Sequence, residues 1–251
     1  MKSYNFNLAY AVERGANHVQ NHSECQDRIQ IVQTDSYLFM GLCDGAGSVV
    51  NSGEGAEFIL EELSIEFQNN REIYFTDKNA SALLTEFIEK KLERYSIEKK
   101  MEFDSLASTL LLVVIHKEQY LIAHVGDGII IGVTDTNELE VLSEPENGEF
   151  SNLTYFLTSI SYKKRLRLKM GKTQSLCNGL LICSDGVQEL LFNEQSKDIA
   201  SITKTMIDWL DEYSSNEVSQ HLSFNLKKNF MKKSSDDLSL IILKGKQDAT
   251  I

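Results

Sequence analysis

Apolar positions along the chain follow two different periods. Short runs of strand length and strand composition occupy about 27–34, 37–43, 107–115, 119–125, 129–133, 153–157, 179–183 and 238–243. Four other segments space their apolar residues as helices do. In 52–69, Ala56, Ile59, Leu60, Leu63 and Phe67 share a face, and in 79–96 Leu83, Leu84, Phe87, Ile88, Leu92 and Tyr95 do the same. Ile199, Ile202, Met206 and Trp209 mark a third helix. Ser214 followed by Glu217 is a capping-box signature for a fourth, carrying Val218, Leu222, Leu226 and Phe230. The order is strands, two helices, many strands, two helices and a last strand. Without strict β-α-β alternation, a doubly wound parallel sheet is disfavoured. The pattern predicts an α+β fold: a sandwich of two mainly antiparallel sheets with a helix pair outside each, in α-β-β-α layers.

The one proline is Pro145, and no Gly/Ser-rich linker divides the chain, so residues 1–251 read as one domain. A chain of this length buries roughly 70% of its unfolded surface and needs neither disulfides nor structural metal to fold. The charge is acidic, 37 Asp+Glu against 25 Lys+Arg and net −12, which argues against nucleic acid and anionic membrane as partners. Cys25, Cys43, Cys177 and Cys183 form no C-x-x-C pair, and Cys43 and Cys183 sit in apolar runs, so they read as reduced thiols. There is no apolar signal core at the N-terminus and no apolar stretch of the ~20 residues a membrane span needs, so a cytoplasmic location is expected.

Three apolar runs end alike. Leu38–Cys43 runs into Asp44-Gly45-Ala46-Gly47, Leu121–Gly126 into Asp127-Gly128, and Leu180–Ser184 into Asp185-Gly186. Asp236-Asp237 opens the run that starts at Leu238. Carboxylates at the ends of neighbouring buried strands converge, and without basic partners they call for a hard divalent cation. Carboxylate, carbonyl and water ligands suit Mg²⁺ or Mn²⁺ rather than zinc. Each acid also has a plainer reading. Asp127-Gly128 is a hairpin-turn signal, Asp44 an Asx turn, Asp185 a helix cap and Asp236 a loop acid. His18 and His22 are spaced i,i+4, but Val19-Gln20-Asn21 supplies no glutamate base between them, so zinc-protease logic fails and a loop is expected there.

Taken in order, these residues resemble the metal-dependent Ser/Thr protein phosphatases of type 2C, bacterial branch. The resemblance rests on Gly15-Ala16-Asn17-His18 with Cys25-Gln26-Asp27, on Asp44-Gly45-Ala46-Gly47-Ser48 with Ser52-Gly53-Glu54-Gly55-Ala56, and on Ala107-Ser108-Thr109-Leu110. It continues through Val125-Gly126-Asp127, Asn152–Thr158, Ser184-Asp185-Gly186-Val187 and Asp236-Asp237-Leu238-Ser239. It implies a β-sandwich flanked by helices and hydrolysis of phosphoserine and phosphothreonine by a hydroxide bridging two Mn²⁺ or Mg²⁺ ions, with no covalent intermediate. Asp44 then bridges the ions, the Gly45 carbonyl binds one of them, Asp185 and Asp236 hold the other, and Asp127 belongs to a weaker third site. Asp44, Asp185 and Asp236 are the catalytic set. Asp27, Gln26 and Glu189 would stand behind these ligands. A variable flap falls at about 135–178.

The sequence departs from the family pattern at four places. Gln26 stands where many members carry a glutamate, and His22 where eukaryotic members carry a phosphate-gripping arginine. Ala46 replaces a histidine expected to donate a proton, and Glu189 replaces a third-metal acid. Six Lys/Arg between Lys163 and Lys172 form a basic stretch whose Arg165 and Arg167 alternate with apolar residues. They are the candidates, with His22, for a phosphate grip, and a solvated strand face is the plainer reading. The implied partners are a phosphoprotein substrate and a cognate Ser/Thr kinase with its targets. Two other readings stand beside the protein phosphatase: a catalytically weak regulatory module that binds a partner, and a phosphatase for small phosphate esters.

Overall fold

The computed structural model describes residues 5–147 and 154–246. Elements are numbered in chain order. One five-stranded sheet runs β1 (Phe6–Glu13), β10 (Leu238–Gly245), β9 (Leu180–Cys183), β6 (Ile129–Val133), β7 (Leu139–Ser143). The other runs β2 (Arg28–Gln33), β3 (Tyr37–Cys43), β4 (Leu110–His116), β5 (Gln119–Val125), β8 (Arg167–Lys172). Every neighbouring pair is antiparallel. Helices α2 (Ser52–Thr76) and α3 (Ala80–Lys99) cover the β2–β8 sheet, while α6 (Ile202–Glu212) and α7 (Ser215–Asn225) cover the β1–β7 sheet. Short helices α1 (Ala16–Gln20), α4 (Tyr162–Arg165) and α5 (Asp185–Leu191) lie in the connections.

Central strands read as unbroken apolar runs because both of their faces are buried. In β4, Leu110, Leu112 and Val114 pack with Ile59, Leu63 and Ile88 of the helices. The alternate residues Leu111, Val113 and Ile115 pack with Ile130, Ile182 and Ile241 of the opposite sheet. Leu181, Leu240 and Ile242 meet Met206, Ile207 and Leu222 on the far side. Three apolar cores thus separate four layers. This is the layered sandwich expected from the order of elements.

The expected helix over 52–69 continues to Thr76, because Tyr74 and Phe75 keep one face buried through the added turns. At α7 the capping box is present: the Glu217 amide donates to Ser214 Oγ (3.4 Å) and the Ser214 amide to Glu217 Oε2 (3.0 Å). Ile199 precedes the third helix, in an isolated bridge with Phe192. His18 stands in the five-residue α1 instead of the expected loop.

The run at 153–157 is not a strand over its described part. Thr154 makes one isolated bridge to Asn147, and Leu157 is apolar because it plugs into the core under α2 and α3. Asn152 and Leu153 lie outside the described residues. Strands β1 and β7, unannounced by the apolar pattern, are edge strands with half-buried polar positions, where alternation is weakest. The stretch read as a flap contributes an edge strand to each sheet, β7 and β8. Cys25, Cys43 and Cys183 are free thiols, and among the described residues no helix is long and apolar enough to cross a membrane.

Leu112, fully buried at the centre of β4, is a sensitive probe of this packing. Leu112→Ala is expected to lower the unfolding free energy by about 3 kcal/mol in urea titration. Ile97→Ala, at a position 77% exposed, should change it by less than about 0.5 kcal/mol.

Candidate metal centre

The cluster forms where strands of both sheets end together. Asp44 follows β3, and its segment continues the sheet pairing: the Asp44 amide donates to Thr109 Oγ1 (3.0 Å), and Gly45 bridges Ser108. A Cβ on Gly45 would lie 2.8 Å from the Ser52 backbone, so glycine is what lets this turn close on the start of α2. Asp127 lies between β5 and β6, which belong to different sheets, so Asp127-Gly128 is a crossover and the hairpin reading fails. Gly126 has φ +114°, and a Cβ there would strike Thr109 at 2.6 Å. Asp185 is the first residue of α5, with Ser184 as the capping position. Asp236 precedes β10 and accepts a hydrogen bond from the Asp237 amide at 2.8 Å.

One carboxylate oxygen from each of Asp44, Asp127 and Asp185 lies within 4.8 Å of the others. With Asp236, Thr154 and Phe156 they line a cleft of about 270 Å³. Thr154 donates its hydroxyl hydrogen bond to Asp127 Oδ2. Among the described residues no Lys, Arg or His forms an ion pair with any of these four acids. Burial first, then the neighbouring carboxylates, push Asp44 and Asp185 well above the usual carboxylate range. Asp127 is raised by burial, against a lowering hydrogen bond from Thr154.

The two adjacent acids before β10 have different surroundings. Asp237 turns away from the cleft: the Gly15 and Gln26 amides donate to it at 2.7 and 2.6 Å, and His18 Nδ1 lies 2.8 Å from its Oδ1. Asp27 is fully buried behind Asp44, accepts from Ser184 Oγ at 2.8 Å, and is pushed up to about 6, chiefly by burial. Its other oxygen is buried without a protein partner. An all-oxygen donor set, mutual repulsion and an orphaned buried oxygen fit a hard divalent cation.

Other expected residues fall outside the cleft. Gln26 donates to the Val49 carbonyl at 2.8 Å. Glu189 is exposed, though its charge reaches Asp127. His22 is exposed at φ +54° beyond α1 and does not line the cleft. Arg165 pairs with Glu146 at 2.7 Å and stacks over the Tyr155 ring at 4.4 Å. Arg167 donates to the Glu144 carbonyl at 2.6 Å and lies 3.0 Å from Nδ1 of buried His124. The Arg165 guanidinium is therefore committed to Glu146 and Tyr155, that of Arg167 to Glu144 and His124, and neither residue lines the cleft. The pairing of His18 with Asp237 and the bond from Thr154 to Asp127 went unread, because nothing in the spacing joins residues more than two hundred positions apart or aims one hydroxyl.

The electrostatics fix a sign. With native carboxyl groups raised above the unfolded value of about 4, the native state binds more protons, so metal-free stability falls as pH rises through the raised values. Divalent cations require the ionised groups, so their stabilisation grows over the same window. In EDTA, Asp44→Asn is expected to melt above the wild-type protein at about pH 7 and to lose that advantage towards about pH 5. It should also lose most of the rise in Tm that Mn²⁺ gives the wild type. Thermal unfolding with and without Mn²⁺ checks all three.

Comparison with known proteins points to one family. The family model described as Protein phosphatase 2C matches residues 14–227, ending before Asp236. Serine/threonine-protein phosphatase 3 of Escherichia coli (strain K12) is 27% identical over 195 residues, covering 74% of this chain and 75% of its own. A bacterial serine phosphatase crystal structure superposes with TM-score 0.68 at 17% identity, covering 98% of this chain and 100% of that one. The catalytic domain of the phosphatase PstP, solved in complex with two manganese ions, superposes with TM-score 0.63 at 15% identity over 97% of this chain and 100% of that one. With four fifths of its length matched by the family model and its layers shared with these structures, the chain belongs to the protein phosphatase 2C family.

Proposed function

We propose that this protein is a metal-dependent phosphatase that hydrolyses phosphoserine and phosphothreonine in proteins. The observation that carries this reading is the convergence of Asp44, Asp127 and Asp185, half-buried and without a basic ion-pair partner, in a member of this family. Asp44, the Gly45 carbonyl, Asp185 and Asp236 would hold two Mn²⁺ or Mg²⁺ ions, with Asp127 serving a weaker third. The manganese in PstP supports that ion. Bound there, the cations would supply an activated water and positive charge for the phosphoryl oxygens.

The chain's own residues set the rest. Thr109 and Ser108 fix the backbone on which Asp44 is carried. Asp27, held by Ser184, sits behind Asp44 and adds negative charge to the ligand cluster. Thr154 and Phe156 bring the flap to the edge of the cleft. Burial pushes the Cys43 and Cys183 thiols far up, so neither serves as a nucleophile at neutral pH, in keeping with direct attack by water. A phosphoprotein substrate and a cognate Ser/Thr kinase with its targets would be the partners, in the cytoplasm, and the net charge of −12 weighs against nucleic acid and anionic membrane.

Mn²⁺-dependent release of phosphate from a phosphoserine peptide is the direct test. Asp44→Asn and Asp185→Asn are each expected to lower kcat by roughly 100-fold or more at saturating Mn²⁺ while circular dichroism is unchanged. Near-wild-type turnover in either variant would remove the assignment. Intact Mn²⁺ binding with no turnover by the wild type would favour a partner-binding module.

A further inference from the structure

A serine or threonine alkoxide is a poor leaving group and needs a proton as it departs. Among the described residues, the cleft offers carboxylates, hydroxyls, one phenyl ring and a methyl group. The carboxylates are the groups that cations would occupy. Among the described residues no imidazole, amine or thiol lines the cleft itself.

Beside it lies a second hollow, of about 570 Å³, which shares Gly47 and Ser48 with the cleft and counts His18 in its wall. His18 is 8% exposed. Its Nδ1 lies 2.8 Å from Asp237 Oδ1. Asp237 is in turn fixed by the Gly15 and Gln26 amides, and the Asn17 amide donates to the Ser235 carbonyl at 3.0 Å. Residues 15–18 are thus fastened to 235–237, the segment that delivers Asp236 to the cleft. The other ring nitrogen, Nε2, faces Gly47, where a Cβ would come within 4.0 Å of it. Glycine at 47 leaves no side chain between the imidazole and the strip of backbone that the two hollows share. A carboxylate beside one ring nitrogen orients the ring and leaves the second nitrogen to exchange a proton with substrate.

We propose that His18 is the general acid that protonates the departing seryl or threonyl oxygen, and that the hollow beside it holds the peptide flanking that residue. The proposal rests on the metal-dependent phosphatase reading above. In the step, the oxygen of the attacking water forms the new bond to phosphorus, keeping one proton and losing the other to solvent, and the ester P–O bond breaks with its electron pair going to the ester oxygen. That oxygen takes the proton from Nε2 of the imidazolium. The ring is left neutral, still facing the Asp237 carboxylate, and regains its proton from solvent through the open hollow.

Two substrates of unlike leaving group test this on the full-length protein with saturating Mn²⁺. His18→Asn is expected to lower kcat about 100-fold on a phosphoserine peptide, and no more than about threefold on 4-nitrophenyl phosphate, whose oxide leaves without a proton. His18→Gln should show the same split. Equal losses on both substrates, or no loss on the peptide, would overturn the proposal and leave His18 a brace for 235–237. Melting temperature and Mn²⁺ affinity, measured on both variants, separate such bracing from proton transfer, because bracing moves them and proton transfer does not. A second readout needs no turnover. With Mg²⁺ and a non-hydrolysable phosphonate analogue of the peptide, the side-chain ¹⁵N resonance of His18 Nε2 should shift while that of the remote His221 stays. An unmoved His18 resonance in the bound complex counts against the proposal. Wild-type turnover of the aryl ester tests the phosphatase reading separately: if it is present and the split is absent, only the role of His18 falls.

Discussion

Repulsion among half-buried carboxylates is the constraint around which this molecule is arranged. Asp44, Asp127 and Asp185 share a small cleft without a basic ion-pair partner, and desolvation and mutual charge raise all three above the usual carboxylate range. Like charges so placed work against the fold, and the remaining structure has to over-determine their positions. It does so with backbone pairing at 44–46, a left-handed glycine at 126, a helix that starts on Asp185, and a strand that starts just after Asp236. Three apolar cores supply the rigidity against which these attachments act.

Identical residue types have different roles here because their partners differ. Asp236 faces the cleft, whereas its neighbour Asp237 accepts from two backbone amides, lies against the His18 imidazole and joins the chain's first loop to its last strand. Arginine shows the same dependence. Arg165 and Arg167 look in the sequence like an open basic face, yet Glu146, Glu144 and Tyr155 take up their guanidinium groups. Phosphate would have to compete with contacts already made. Arg167 also helps to keep buried His124 neutral, which ties this end of β8 to its neighbour β5.

The legible part of the fold was whatever buries both faces or one clean helical stripe. Strands β3, β4, β5, β6, β9 and β10 and helices α2 and α3 announce themselves because their burial forces apolar residues into a regular period. Edge strands β1, β7 and β8 bury less and leave a weaker trace. The apolar run around 154–157 misleads because Leu157 anchors an irregular segment as firmly as a strand residue would. In the site, the acids were legible because each ends a buried strand. Which member of a pair faces inward, and which side chain stands behind it, is decided by contacts between distant segments. His18 with Asp237 and Ser184 with Asp27 are of that kind.

The crossover at Asp127-Gly128 has one more consequence. Asp44 hangs from one sheet, Asp185 and Asp236 from the other, and Asp127 from the link between them. The spacing of the ligands is therefore a measure of how the two sheets sit on each other. That seating is set by Leu111, Val113, Ile130, Ile182 and Ile241 in the layer between the sheets. The cleft works as a gauge of sandwich alignment: any ligand that fixes the carboxylates clamps the sheets together, and any slip between the sheets is felt as a change in grip at the cleft.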